Sequence, residues 1–260
     1  MLSWGRYGPA RAPRKAPRLI NALADIIWPP VSLLSYEPVS AHGQLSPADW
    51  SKISFLDRPW CETCGFPFQF PVGEGAVCGP CAARQPAFDT ARSAFVYAPE
   101  SRQLVLSLKH GGRVDGLAAF GGWMKRAGAD VLEGADLLVP VPLHGRRLRQ
   151  RRFNQSLLLA RALTKLTGIR TDPHLLLRTR ATPSQGGQSA KGRRRNVAGA
   201  FAVRPGRKAT LEGAHIVIID DVYTTGATLE ACARALKRAG AARADALTLA
   251  RVVKPADVIT

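Results

Sequence analysis

The segment Ile216-Val-Ile-Ile-Asp-Asp-Val-Tyr-Thr-Thr-Gly-Ala-Thr228 constrains this chain more than any other. Its apolar run reads as a fully buried strand, placed at 215–222, that runs out into two adjacent acids. A turn through Thr224, Thr225, Gly226, Ala227 and Thr228 then enters a helix expected at 227–239, with Gly240 at its C-terminal end. In α/β folds the crevice outside the carboxyl end of a strand is where ligands bind. Backbone N–H groups of such a turn face outward and the helix dipole adds positive potential, so a phosphate monoester fits there. Thr224, Thr225 and Thr228 add hydroxyl donors, and Gly226 lets the backbone come close to the phosphate. Asp220 and Asp221 stand just before the turn, placed to accept hydrogen bonds from two sugar hydroxyls. A group that holds a 5-phosphate and a vicinal diol is a ribose-5-phosphate clamp.

The pattern around this segment is repetitive. Further strands are expected at 93–97, 136–142, 174–178 and 245–252, and helices at 18–28, 101–109, 115–127 and 154–167. Alternating strands and helices predict a parallel α/β sheet flanked by helices. Residues 179–196 are polar, Gly-rich and basic and read as a mobile loop. Residues 1–17 are rich in Arg, Pro and Gly and read as disordered.

Four of the five cysteines, Cys61, Cys64, Cys78 and Cys81, are spaced C-x2-C-x13-C-x2-C. Each C-x2-C turn aims two thiolates at one point, and two such turns close a tetrahedron around zinc. A set of four thiolates leaves no open position, so one structural Zn2+ is expected. Two disulfides or a redox pair would use the same residues. Upstream, Ser32, Ser35, Ser46 and Asp49 repeat the knuckle spacing without cysteine. Hydroxyls are poor zinc ligands, so no metal is expected on that half. Cys232 lies in an Ala-rich helical pattern and reads as a buried small residue.

A chain of 260 residues holds one large domain, or a medium domain and a small one. No stretch approaches 18 uninterrupted apolar residues, so no membrane-spanning helix is expected. The N-terminus is basic and Pro-rich and lacks the pattern of a secretory leader, so the expected compartment is the cytoplasm, where disulfides are disfavoured. The formal net charge is +18, and residues 141–210 hold 17 Lys and Arg against the single acid Asp172. Arg146, Arg147, Arg149, Arg151 and Arg152 form one cluster; Lys191, Arg193, Arg194 and Arg195 form another. Such density suits phosphate recognition by paired guanidinium donors. Only Phe153 and Phe201 interleave with this block, which limits base stacking by it.

The segment from Ile216 to Thr228 closely resembles the phosphoribosyl pyrophosphate (PRPP) motif of type I phosphoribosyltransferases. Leu108-Lys-His-Gly-Gly112, Pro140-Val-Pro-Leu143, Arg151-Arg-Phe-Asn-Gln155, Thr182-Pro-Ser-Gln185, Arg193-Arg-Arg-Asn196 and Gly199-Ala-Phe201 narrow the likeness to the ComF family, over residues 28–252. That resemblance implies a type I phosphoribosyltransferase fold with a small N-terminal zinc-ribbon domain. The expected divisions are a basic tail and short helix at 1–27, a double zinc ribbon at 28–87, and a phosphoribosyltransferase-like domain at 88–260. The family pattern places cysteines where Ser32, Ser35, Ser46 and Asp49 stand, which makes the first ribbon one that has lost its ligands.

The resemblance also implies roles. Asp220 and Asp221 would bind the ribose hydroxyls, and residues 224–228 the 5-phosphate. The turn Val141-Pro-Leu-His144, with Arg146, would face the pyrophosphate. Mg2+ would accompany PRPP, held by substrate oxygens and water. Lys109, Arg152, Asn154, Gln155, Gln185 and Arg195 are pyrophosphate or acceptor candidates. Asn154 also fits a simple helix cap, and Lys109 a solvated helix end. The stretch 182–195 would be a lid over the site.

Three activities follow from one clamp: Mg2+-dependent transfer of ribose-5-phosphate from PRPP to an unidentified acceptor, handling of single-stranded nucleic acid on the same fold, or sensing of PRPP without turnover. The family association is with DNA uptake and competence. The sequence shows nothing like a glutamine amidase, so glutamine-dependent amination of PRPP is not expected.

Overall fold

The computed structural model describes residues 28–109, 115–143, 153–180, 192, 197 and 199–253. The expected tail, residues 18–27 of the expected first helix and nearly all of the expected loop at 179–196 lie outside them. The strands are β1 (Ala91–Val96), β2 (Leu137–Pro140), β3 (Arg170–Thr171), β4 (Leu176–Arg178), β5 (Phe201–Val203), β6 (His215–Tyr223) and β7 (Arg243–Arg251). The helices are α1 (Pro47–Trp50), α2 (Gly79–Ala83), α3 (Arg102–Lys109), α4 (Leu117–Ala127), α5 (Ala129–Leu132), α6 (Gln155–Thr167) and α7 (Ala227–Arg238).

Five strands form one parallel sheet in the order β1-β7-β6-β2-β3. β6 fills its centre because its apolar run buries both faces. Ile216 and Ile218 pack on the side covered by α7, with Leu229, Cys232, Ala233 and Leu236. Val217 and Ile219 pack on the opposite side, with Phe120 and Met124 of α4 and Leu159 and Leu163 of α6. From β2 the chain moves outward to β3, and from β6 it moves the other way to β7. The crevice between the carboxyl ends of β2 and β6 is therefore the switch point of the sheet.

Some elements differ from expectation for local reasons. β4 pairs antiparallel with β5 and forms a separate two-stranded ribbon rather than joining the main sheet. β3 has two residues and β5 three, too few for a period to register in sequence. α5 follows α4 across Gly128, which caps the end of one helix and the start of the other.

The segment before the sheet folds as two copies of one ribbon. Ser32 N–H donates to Glu37 O and Leu33 N–H to Gln44 O; in the second copy Cys61 N–H donates to Phe66 O and Glu62 N–H to Ala76 O. The bridge Val31–Pro38 is repeated as Trp60–Pro67. Even the left-handed position recurs: Tyr36 has φ 66° where the second copy has Gly65 at φ 68°. The repeat therefore extends through the backbone, far beyond a chance spacing of serines.

In the first copy the would-be ligands form a hydrogen-bonded knot. Asp49 Oδ2 accepts from Ser32 Oγ at 2.6 Å, from Ser35 Oγ at 2.5 Å and from Ser35 N–H at 2.9 Å. Its Oδ1 accepts from Lys52 Nζ at 2.9 Å. Ser32 and Asp49 are fully buried. Burial opposes ionisation of Asp49, but the two hydroxyls and Lys52 outweigh it and hold the carboxyl well below the usual range. Replacing Asp49 with Ala removes the carboxylate that gathers Ser32, Ser35 and Lys52. We expect Asp49→Ala to cost about 2 kcal/mol in denaturant unfolding; a loss below about 0.5 kcal/mol would show that the knot does not hold the ribbon.

Candidate phosphate site and cysteine centre

The site is built at the carboxyl ends of β2 and β6. β6 is buried through Ile219, and Asp220 and Asp221 are the first half-buried residues after it. Asp220 Oδ1 accepts from Ser156 Oγ and from Asp221 N–H, both at 2.9 Å. Ser156 lies in the first turn of α6, so that helix orients one acid of the pair. Asn154 is the N-cap: its Oδ1 accepts from Ser156 N–H at 3.1 Å, and its Nδ2 donates to Val141 O at 3.0 Å. The cap thus ties α6 to the turn after β2, whose Val141 N–H reaches Ile219 O at 2.9 Å.

Residues 224–228 turn from β6 into α7 as the sequence requires. Gly226 is the N-cap, with φ 73°. A Cβ there would stand 2.6 Å from the Tyr223 hydroxyl, so both the left-handed backbone and the close neighbour demand glycine. The constraint on Gly226 thus comes from inside the protein as well as from any ligand. The start of α7 adds the oriented N–H groups of a helix N-terminus beside the Thr224, Thr225 and Thr228 hydroxyls.

The structure brings Asp220, Asp221, residues 224–228, Asn154 and Gln155 to this end of the sheet. Gln155 is buried, and Asn154 uses both ends of its amide in the cap. Lys109 ends α3. Arg146, Arg152, Gln185 and Arg195 lie outside the described residues, as does the expected lid apart from Gly192. Sequence reasoning missed Ser156, whose only signal is its place two residues after a capping Asn. It also missed Glu230, a buried acid in the first turn of α7 that takes a bidentate pair from Arg84, at 2.9 and 2.5 Å. Burial works against the charge of Glu230, while Arg84 and then Arg234 outweigh it and hold the carboxylate below its ordinary value.

The four cysteines meet at one point. Their sulfurs all lie within 4.8 Å of one another, and Cys64 and Cys78 are 3.7 Å apart. A tetrahedron with metal–sulfur bonds of about 2.3 Å has edges of about 3.8 Å, so the set fits one zinc ion. The spacing is too long for an S–S bond, and all five cysteines are free. Hydrogen bonds from Cys64, Cys78 and Cys81 pull the Cys61 thiol down, and the same crowding pushes Cys78 and Cys81 up. Four thiolates cannot share this space without a cation to neutralise them. Backbone N–H groups already face the sulfur of Cys61: Cys78 N–H at 3.3 Å and Cys64 N–H at 3.5 Å. Cys232 is buried in α7, well inside the core.

A parallel sheet with an acid pair and a phosphate-type turn at its switch point defines a protein of the phosphoribosyltransferase fold. The family model for the phosphoribosyl transferase domain matches residues 175–258. The DNA utilization protein YhgH of Escherichia coli K12 is 32% identical over 208 residues, covering 78% of this chain and 88% of that protein. Its Salmonella typhimurium counterpart is 34% identical over 198 residues, covering 74% and 84%. Competence protein ComFC of Bacillus subtilis is 29% identical over 209 residues, covering 77% and 81%. The chain belongs to the ComF family.

Two outcomes are expected. Metal analysis of the purified chain gives about one zinc per chain, and joint replacement of Ser32, Ser35, Ser46 and Asp49 by Cys raises it to two; a variant that stays at one would separate the copies chemically. Glu230 has a lowered folded pKa, so its contribution to stability is complete above the unfolded value of about 4.3 and fades as pH falls through the folded one. The stability gap between wild type and Glu230→Gln, measured by urea unfolding, should persist at about pH 7 and shrink below about pH 4.3.

Proposed function

We propose that this chain binds PRPP with Mg2+ and transfers ribose-5-phosphate to an acceptor, in the DNA-handling setting that its relatives' names describe. The observation that carries this reading is the acid pair Asp220–Asp221 leading into the turn 224–228 at the switch point of the sheet. The turn and the N-terminus of α7 hold the 5-phosphate. Asp221, with Asp220 oriented by Ser156, takes the ribose hydroxyls. Arg146 serves the pyrophosphate side, with Lys109, Arg152, Gln185 and Arg195 as further contacts to pyrophosphate or acceptor, while Asn154 stays committed to the cap of α6. The bond from the anomeric carbon to pyrophosphate breaks as the bond to the acceptor forms, and fixed charges stabilise the developing oxocarbenium character. Asp220 and Asp221 offer hard carboxylate oxygens that would help hold Mg2+, an ion that would neutralise pyrophosphate charge.

In this reading residues 28–87 form the ribbon domain, with one structural zinc on its second copy, and residues 88–260 the catalytic domain. Five free cysteines, four of them placed for a metal, suit the reducing cytoplasm. No helix among the described residues is long and apolar enough to cross a membrane.

A second reading rests on charge. A small phosphorylated ligand needs two or three of the 17 basic residues between positions 141 and 210. The surplus favours single-stranded nucleic acid as a further partner, bound with or without turnover of PRPP.

Calorimetric titration tests the first reading. PRPP with Mg2+ should bind wild type, and Asp221→Ala should weaken it at least about tenfold, the loss of one charge-assisted hydrogen bond. No heat with wild type, or unchanged affinity in the variant, would overturn it. Single-stranded DNA binding followed by fluorescence anisotropy should weaken steeply and linearly in log–log with salt; a flat response removes the second reading.

A further inference from the structure

We propose that Arg84, Glu230, Arg251 and Tyr223 are positioning residues that couple metal occupancy of the four-cysteine set to the affinity of the 224–228 turn for phosphate. The proposal rests on the reading of that turn as the PRPP site and adds its regulation.

Two lines of contact join the cysteines to the turn. The first starts at Cys64. Arg251, the last residue of β7, is buried and donates from Nη1 to Cys64 O at 2.6 Å. Its Nη2 faces the Cys64 sulfur at 3.5 Å. The same guanidinium lies 4.3 Å from the centre of the Tyr223 ring and 5.3 Å from that of Phe66, stacked by cation–π attraction. Tyr223 is the last residue of β6 and abuts Gly226, which has no room for a Cβ beside the phenol oxygen. A shift of Tyr223 therefore moves the N-cap of α7 directly.

The second line starts at Cys78 and Cys81. These residues belong to the cap and body of α2, and Arg84 is the C-cap of that short helix. Arg84 grips both carboxylate oxygens of Glu230, which is 2% exposed. Glu230 N–H makes the first backbone bond of α7, to Gly226 O at 2.8 Å. The metal ligands thus hold the phosphate turn from the cysteine pairs of both knuckles.

The two ribbons provide an internal comparison. The first packs on the opposite face of the sheet, with Leu33 and Ile53 among the α4 residues, and carries no cysteine. The second packs on the α7 face, with Cys61, Cys64 and Cys78 in the same buried cluster as Tyr223, Ala227 and Leu229. The copy that keeps its metal ligands is the one that touches the turn. With the ion gone, the four thiols regain their protons and no bond holds their sulfurs to one point. Arg251 then loses a fixed partner in a site too buried for water to replace it, and α2 loses the anchor that aims Arg84.

Coupling of this kind is reciprocal. The test uses the full chain, zinc-loaded and zinc-stripped. PRPP with Mg2+ is titrated by calorimetry into each form, and zinc affinity is measured by competition with a chromophoric chelator, with and without saturating PRPP. The expected result is about a tenfold loss of PRPP affinity on stripping and about a tenfold gain of zinc affinity with PRPP bound. Equal PRPP affinities together with a zinc affinity that PRPP does not move would overturn the coupling. Failure of the loaded wild type to bind PRPP would instead overturn the phosphate site itself, and the coupling with it. Should the stripped chain lose its helical circular dichroism, Arg251→Met decides the matter, since it keeps all four cysteines. Loaded with one zinc, it should bind PRPP about tenfold more weakly than wild type; unchanged affinity would refute the coupling. Arg84→Glu and Glu230→Arg should each weaken PRPP binding and together restore it, whereas a pair with no positioning role would show no recovery.

Discussion

The middle of β6 is apolar because both of its faces are covered, and the acids come where that double cover ends. Ile216–Ile219 are sealed between two helical layers, and Asp220 emerges half-buried while the strand goes on pairing with β7 as far as Tyr223. The position of the acids is therefore set by the hydrophobic effect acting on the four residues before them. Everything else at the site is arranged around that exit. α6 supplies Ser156 to one acid, the turn after β2 is clipped to α6 through Asn154, and α7 begins immediately beyond.

The ribbons show one backbone held by two chemistries. In the second copy four sulfurs are placed for a cation. In the first, a single carboxylate at the last ligand position gathers two hydroxyls, an N–H group and a lysine. The charge logic is inverted: a central anion with donors around it replaces a central cation with anions around it. The backbone hardly registers the exchange, as the repeated hydrogen bonds and the shared left-handed residue show.

Much of this was legible in the sequence where the signal was long or chemically specific. The β6 run, the Thr-Thr-Gly-Ala-Thr turn, the C-x2-C pairs and the helix expected at 154–167 each carry their own reason. Asn154 caps that helix and Gly168 ends it with φ 78°. What was not legible depends on distant partners. Nothing near Glu230 announces Arg84, and nothing near Arg251 announces Cys64, because those pairs form only when the second ribbon packs on the sheet. The two- and three-residue strands β3 and β5 were invisible for a different reason: pairing, not periodicity, makes them strands.

The outer edge of the sheet carries a last consequence. β1 has β7 on one side, and on the other its backbone is met by the amino-terminal segment: Leu56 N–H donates to Ala94 O, Val96 N–H to Ser54 O and Ala91 N–H to Thr63 O. The ribbons thus finish the sheet as well as sitting beside it. A chain cut between Pro86 and Phe88 would bare that row of donors and acceptors, an open template for another copy to pair with. The segment before the sheet is therefore no detachable module, because it supplies the partners that close the β1 edge.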